Sequence, residues 1–284
     1  MFHMRLHRFY IEQKIEKKKE IALTDPELIH QLLNVFRFQP ADVSGRPGDK
    51  VVLFDGSGFE YECEIISINK KPARPPKGAG GEVKFKIINK KSHFAKATRD
   101  REVSLYLSLI KKSNFELAVE KCTEIGVTEI YPIISERSDP SHSAWAGQEK
   151  NILRLNKIVK EASEQSGRLI LPTVFPIMSL EQAVSQVIKE GKEGVVFHTV
   201  SDSNDSPKNI PTNSLHLKKT NHSESCPNDF GRAICLFVGP EGGWTEKEMN
   251  LFKQNNFQIK SLGINILRAE TAAIIAVAKT VNSL

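Results

Sequence analysis

No stretch of this sequence approaches the ~20 consecutive apolar residues that cross a bilayer, so no membrane-spanning helix is expected. The opening MFHMRLHRFYIEQKIEKKKE lacks the apolar core of a secretory signal, and export is not expected either. Cysteine is scarce and scattered: Cys63, Cys122, Cys226 and Cys235 form no C-x-x-C pair and no zinc-spaced Cys/His cluster. Isolated thiols of this kind predict a reduced, cytoplasmic chain with neither disulfide nor metal. Two phosphate-binding signatures are missing as well. Without G-x-x-x-x-G-K-[ST] a P-loop is unsupported, and without an early G-x-G-x-x-G so is a Rossmann-type site. There is no internal repeat, and no basic amphipathic helix stands out to favour a membrane-surface role.

What is present suits one large or two ordinary domains. The chain has 284 residues, and 39% hydrophobic against 26% charged residues permits a buried core. The net charge of +6 is uneven: residues 1–101 hold 20 Lys and Arg against 13 Asp and Glu, and the remainder holds 20 against 21. A basic first third joined to a neutral remainder suits a module that meets a polyanion, although a solvated surface carries such charge equally well.

The pattern changes along the chain in step with the charge. Residues 50–68 read as two strands around Asp55-Gly56, and 82–88 alternate as a third. The Pro/Lys/Gly stretch 70–81 between them propagates neither helix nor sheet. Short strands broken by Gly and Pro predict a small β-barrel-like domain. Residues 89–101 are polar and basic and read as a linker. Strands are then expected at 103–110, 130–134, 195–197, 233–238 and 258–262. Between them fall a helix capped by Ser113 and closed by Gly126, one closed by Gly167, and two with capping boxes, Ser179/Gln182 and Thr245/Glu248. An apolar helix over 269–281 ends the series. Alternation of this kind predicts a mostly parallel α/β domain. Residues 200–231, rich in Ser, Asn, Asp and Lys, read as an extended surface excursion.

Three segments carry chemistry. In LFVGPEGGWTEKE a strand ends at Val238, and Gly239, Pro240, Glu241, Gly242 and Gly243 lead into a capped helix. Three glycines in five residues let a ligand approach backbone, and ligands of open α/β sheets lie beyond the carboxyl ends of strands. An ordinary strand-to-helix turn is the plainer reading. In SLGINILRAETAAIIAVA a loop with Gly263 precedes a helix whose first turn carries Arg268, Glu270 and Thr271 and whose remainder is almost wholly Ala, Ile and Val. Such a helix serves a crowded core or a subunit interface. In EASEQSGR, Glu161, Glu164, Gln165 and Arg168 share a helical face that would ordinarily be solvated.

Together these segments resemble the RsmE family of SPOUT-class methyltransferases, which methylate N3 of a uridine in 16S ribosomal RNA. The resemblance runs through MRLHRFYI, IHQLLNVFR, GDKVVLFDG, FELAVEKCTEIGVTEIYPIISERS, IVKEASEQSGR, GPEGGWTEKE and LGINILRAETA, in the family's order. The chain departs from it at Leu155, where the family usually has Trp, and at Asn265, where it usually has Arg.

The resemblance implies an N-terminal PUA-like β-barrel that binds RNA over residues 1–92. It implies a SPOUT α/β methyltransferase domain with a deep trefoil knot over 93–284, an exception to the rule against knots. S-adenosyl-L-methionine (SAM) would lie in the knot against Val238 to Gly243, Leu262, Gly263, Ile266, Leu267, Arg268 and Thr271. His198 would line the same pocket or belong to the core. RNA would be met by Arg5, Arg8, Arg37, Arg137, Gln165 and Arg168. The partner would be 16S rRNA of the small ribosomal subunit, and the enzyme would be a homodimer with its active sites near the subunit interface.

Residue chemistry then assigns roles. Uracil N3 carries a proton at neutral pH and must lose it, so Glu241 or Glu270 is the candidate base. Arg268, Arg168 or Arg8 would stabilise charge developing on the uracil carbonyl oxygens. The rivals are another SPOUT enzyme acting on transfer RNA or a ribose oxygen, and a non-catalytic RNA-binding assembly factor with no SAM affinity.

Overall fold

Side-chain packing divides the chain into two units. The computed structural model describes residues 6–15, 18–42, 44–69, 81–92, 102–138, 149–199 and 233–282. One unit holds the described residues through 92 together with Glu164–Ile170; the other holds the rest. Cys226, Arg5, the 200–231 excursion and all but Gly81 of the Pro/Lys/Gly stretch lie outside the described residues.

In the first unit, strands β1 (Arg8–Tyr10), β2 (Glu20–Leu23), β3 (Lys50–Phe54), β4 (Phe59–Asn69) and β5 (Glu82–Ser92) form one sheet in the order β1-β3-β4-β5-β2. Only the β1–β3 pair is parallel. The β3–β4 hairpin forms where Asp55-Gly56 foretold it. The buried Asp55 carboxylate accepts from the Ile15 N–H at 2.9 Å, the Ser57 N–H at 3.0 Å and the Ser57 hydroxyl. Burial opposes its ionisation, but hydrogen bonds from Ser57 and Ile15 outweigh burial and hold its pKa below the usual carboxylate value. Ile15, Leu32, Val51, Leu53, Cys63, Ile65, Val83 and Phe85 fill the core. Strands β1 and β2 and helix α1 (Pro26–His30) were not legible. The strands are too short for periodicity to show, and α1 relies on an Asp25 cap and Pro26 in its first turn.

The second unit runs β6 (Val103–Ser108), α2 (Lys112–Ile125), β7 (Glu129–Ile134), α3 (Glu149–Ser166), β8 (Thr173–Val174), β9 (Met178–Ser179) and α4 (Leu180–Lys189). It continues β10 (Glu193–Phe197), β11 (Ile234–Val238), α5 (Glu246–Gln254), β12 (Gln258–Lys260) and α6 (Ala269–Asn282). Its sheet has the order β12-β10-β11-β6-β7-β8, with β9 also on β7, and every pair is parallel. Buried on both faces, the strands read as continuous apolar runs. Leu105, Leu107, Phe115, Cys122, Ala273 and Val277 pack on one side. On the other, Tyr106 stacks between Tyr131 and Phe237 with centroids 4.4 and 4.5 Å away.

Both capping boxes are present, and Gly126 and Gly167 follow their helices with positive φ. Three local expectations need correction. Residues 89–92, read as linker, continue strand β5 and pair with β4, because the ladder holds polar residues that periodicity alone assigned to a loop. Helix α2 begins at Lys112 with Lys111 at its cap, because the Ser113 hydroxyl turns to Asn114 and no side chain caps the end. Strand β12 stops at Lys260, where the Ser261 hydroxyl bonds to Gly263 and the chain turns away from the ladder.

Candidate functional site

Three parallel strands end side by side. Phe197, the last residue of β10, is in register with Val238, the last of β11, and with Lys260, the last of β12. Neighbouring strands lie ~4.8 Å apart. The chain after Val238, His198 after Phe197 and the loop after Lys260 therefore leave the same edge of the sheet.

The glycine turn is held from several directions. The Trp244 indole N–H donates to the Phe197 carbonyl at 3.0 Å, folding the turn back over β10. A Cβ at Gly239 would lie 3.1 Å from that indole, so a larger residue there would have to push the ring aside by a few tenths of an ångström. Arg137 donates to the Gly242 carbonyl at 2.7 Å. Thr245 and Glu248 cap α5, and Glu248 also accepts the Glu136 N–H at 2.8 Å while the Thr245 hydroxyl donates to Glu136 at 2.9 Å. The segment after β7 is thereby tied to the turn. Pro240 is buried, Gly242 and Glu241 are exposed, and the Glu241 carboxylate receives the Lys111 N–H at 3.5 Å.

The second turn is fixed at its base and open at its tip. The Ser261 hydroxyl donates to the Gly263 carbonyl at 2.9 Å, and Lys279 of α6 donates to the Leu262 carbonyl at 3.0 Å. Gly263 has φ 154 and Gly243 has φ 68, and a Cβ on either would meet nothing within 4 Å. Beyond Gly263, Ile264 and Ile266 are 101% and 85% exposed, Leu267 is half-buried and Arg268 is exposed. Two bare isoleucines on the loop after β12 leave apolar surface with no partner from the described residues. Glu270 is buried with its Oε2 unpaired, and Thr271 is half-buried.

His198 sits between the turns, half-buried, its N–H donating to the Lys260 carbonyl at 3.0 Å. Burial, and secondarily the charge of Lys253, lower its pKa below the usual histidine value.

The arginine and glutamine candidates separate. Arg8 donates to Glu60 at 2.6 Å and to the Gly167 carbonyl at 3.4 Å, inside the first unit. Its charge is balanced there. The Glu164 carboxylate accepts the Tyr10 N–H at 2.8 Å, so this part of the EASEQSGR face is engaged and not simply solvated. Arg37 and Gln165 are exposed and Arg168 is half-buried. Arg137 is exposed but committed to the glycine turn. Sequence reasoning missed Trp244, Glu136, Ser261 and Lys279, which position the turns. Only Trp244 carried a signal, as the indole closing GPEGGW.

The parallel sheet, with two glycine turns at one end, defines an α/β unit with an open ligand-sized edge, and comparison supplies the class. A family model described as "RNA methyltransferase domain" matches residues 97–281, and one described as "RNA methyltransferase PUA domain" matches 46–74. The chain is 30% identical to ribosomal RNA small subunit methyltransferase E of Rickettsia conorii, over 97% of this chain and 95% of the relative. It is 30% identical to the Synechocystis enzyme of that name, over 94% and 74%. Its fold matches the crystal structure of the Neisseria gonorrhoeae enzyme of that name bound to S-adenosyl methionine, with a TM-score of 0.70 and 26% identity over 96% of each chain. The chain belongs to the ribosomal RNA small subunit methyltransferase E family.

Proposed function

We propose that this protein binds SAM between its two glycine turns and methylates N3 of a specific uridine in 16S rRNA of the small ribosomal subunit. The carrying observation is the register that brings Val238, Phe197 and Lys260 to one edge. The fit is supported by open space at Gly243 and Gly263 and by the bare side chains of Ile264 and Ile266, which suit an adenosine face. Backbone groups of 239–243 and 262–267, with Thr271 and His198, would hold the cofactor. SAM supplies a methyl group already activated on a sulfonium.

The remaining work falls to side chains. The uracil must be placed in line near ~3 Å, and its N3 proton removed. Buried Glu270, with an unpaired Oε2, is the better-placed base than exposed Glu241, whose carboxylate faces the Lys111 N–H. Exposed Arg268, two residues away, would stabilise charge on the uracil carbonyl oxygens, with Arg168 as a further candidate. The target base must leave its stack to be reached, which favours an unpaired segment.

The finer architecture belongs to the same reading. Residues 1–92 form the RNA-binding PUA-like module, whose five described strands would curl into a barrel, with Arg37 and the other RNA-facing residues. Residues 93–284 form the methyltransferase domain, whose two turns are parts of a trefoil knot. The enzyme would act in the cytoplasm as a homodimer, for which half-buried Ile275 on the small-residue helix α6 offers apolar surface.

The test is methyl transfer from labelled SAM to small subunits, or to 16S rRNA, from a strain lacking the modification, with the product nucleotide identified by mass spectrometry. Label in 3-methyluridine is expected. Label in a ribose 2′-O-methyl nucleotide, or SAM binding with no transfer to either substrate, overturns the assignment.

A further inference from the structure

The first unit carries a ring cluster that the proposed methyl transfer does not use. The His7 ring centroid lies 4.2 Å from that of Phe36 and 5.6 Å from that of Phe38. The two phenylalanines stack on each other at 5.6 Å with 19° between their planes. Buried Phe9 meets Phe36 edge-on at 5.7 Å, so the core supports the cluster from beneath. His7 is the exposed member, and Phe36 and Phe38 are half-buried.

Between the two phenylalanines stands Arg37, exposed, with φ 57. It follows a π-helical turn (Gln31–Val35), and the Phe38 N–H reaches back to the Leu32 carbonyl at 2.9 Å. That is the position after a helix end where glycine is usual, because glycine takes positive φ without strain. A bulky cation held there points to a use for its side chain other than backbone ease.

We propose that His7, backed by Phe36 and Phe38, is a stacking platform for one unpaired nucleobase of the RNA, with Arg37 meeting the adjoining phosphate. The proposal rests on the RNA-substrate reading above. An exposed ring residue, in a cluster whose two phenylalanines flank an exposed arginine in the chain, matches the two parts of a single-stranded nucleotide, a π-face and an anion. Both residues lie in the basic first third of the chain, whose charge draws a polyanion close. Stacking tolerates any base, so the platform supplies grip and positioning, while sequence is selected elsewhere.

The test uses the full chain with SAM and a short unpaired RNA carrying 2-aminopurine, read by anisotropy and by quenching of the reporter. Four variants are compared: His7→Ala, His7→Lys, His7→Phe and Arg37→Ala. The His7 backbone carbonyl, which accepts from Val52, is untouched by substitution, and unchanged melting temperatures check folding. Alanine and lysine at His7 are expected to weaken binding about five- to tenfold and to remove the quenching. Phenylalanine is expected to keep both within about twofold of wild type. Arg37→Ala is expected to weaken binding and flatten its salt dependence while leaving the quenching of bound RNA. Binding by His7→Lys equal to wild type would show that charge alone is read, and unchanged binding by His7→Ala would remove the platform. Loss of SAM binding by the wild-type chain would instead defeat the parent reading, which these RNA measurements do not probe.

Discussion

The Trp244 indole N–H donates to the Phe197 carbonyl oxygen at 3.0 Å, linking the glycine turn after β11 to the end of the neighbouring strand β10. The indole also sets how closely Gly239 approaches. Trp244→Phe keeps most of the packing but leaves a buried carbonyl without its donor. A loss of about 1–3 kcal/mol in urea unfolding is expected, together with weaker SAM binding. Unchanged stability and affinity would mean the bond is incidental.

Arg268 is exposed beside the open second turn, and its side chain is unnecessary to the core. Arg268→Ala is expected to lower the single-turnover rate about 100- to 1000-fold while leaving the unfolding midpoint within experimental scatter. Activity near wild type would remove Arg268 from the chemistry.

How much of this was readable beforehand follows from how each element is stabilised. Strand β11 and helix α5 were legible because a continuous apolar run and a Thr245/Glu248 box are local signals. The adjacency of the two glycine turns was expected only through the family resemblance, since it depends on β10 pairing with both β11 and β12, across long sequence separations. The same is true of Glu164: its i, i+3, i+4 spacing reads as a wet helix face, and only the fold brings the Tyr10 N–H to it. Arg8 was read as a contact for RNA or for the uracil carbonyls because its partner Glu60 is 52 residues away.

That pairing gives a third expectation. Arg8 and Glu60 are mostly buried, and Arg8→Ala leaves a carboxylate without its guanidinium. Thermal or urea unfolding is expected to show a loss of about 1–3 kcal/mol. RNA affinity of the folded fraction should fall less than in Arg37→Ala. Full stability with lost RNA binding would return Arg8 to the RNA surface.

His198 provides a pH test. Its folded-state pKa lies below the ordinary 6.5, chiefly through burial. The unfolded chain therefore takes up this proton first on acidification. The stability linked to His198 is fully present above 6.5 and is lost as pH falls from there through the folded value. In NMR titrations the His198 ring should titrate below the ordinary histidine value, and His198→Gln should reduce the pH dependence of stability in that window. A protonated ring at pH 7 would contradict the geometry.

The central claim is that both turns grip one SAM molecule. Amide hydrogen exchange with and without SAM reads this directly. Residues 239–243 and 262–267 are predicted to gain protection together on adding the cofactor. Protection of only one turn, or none at saturating SAM, would contradict it.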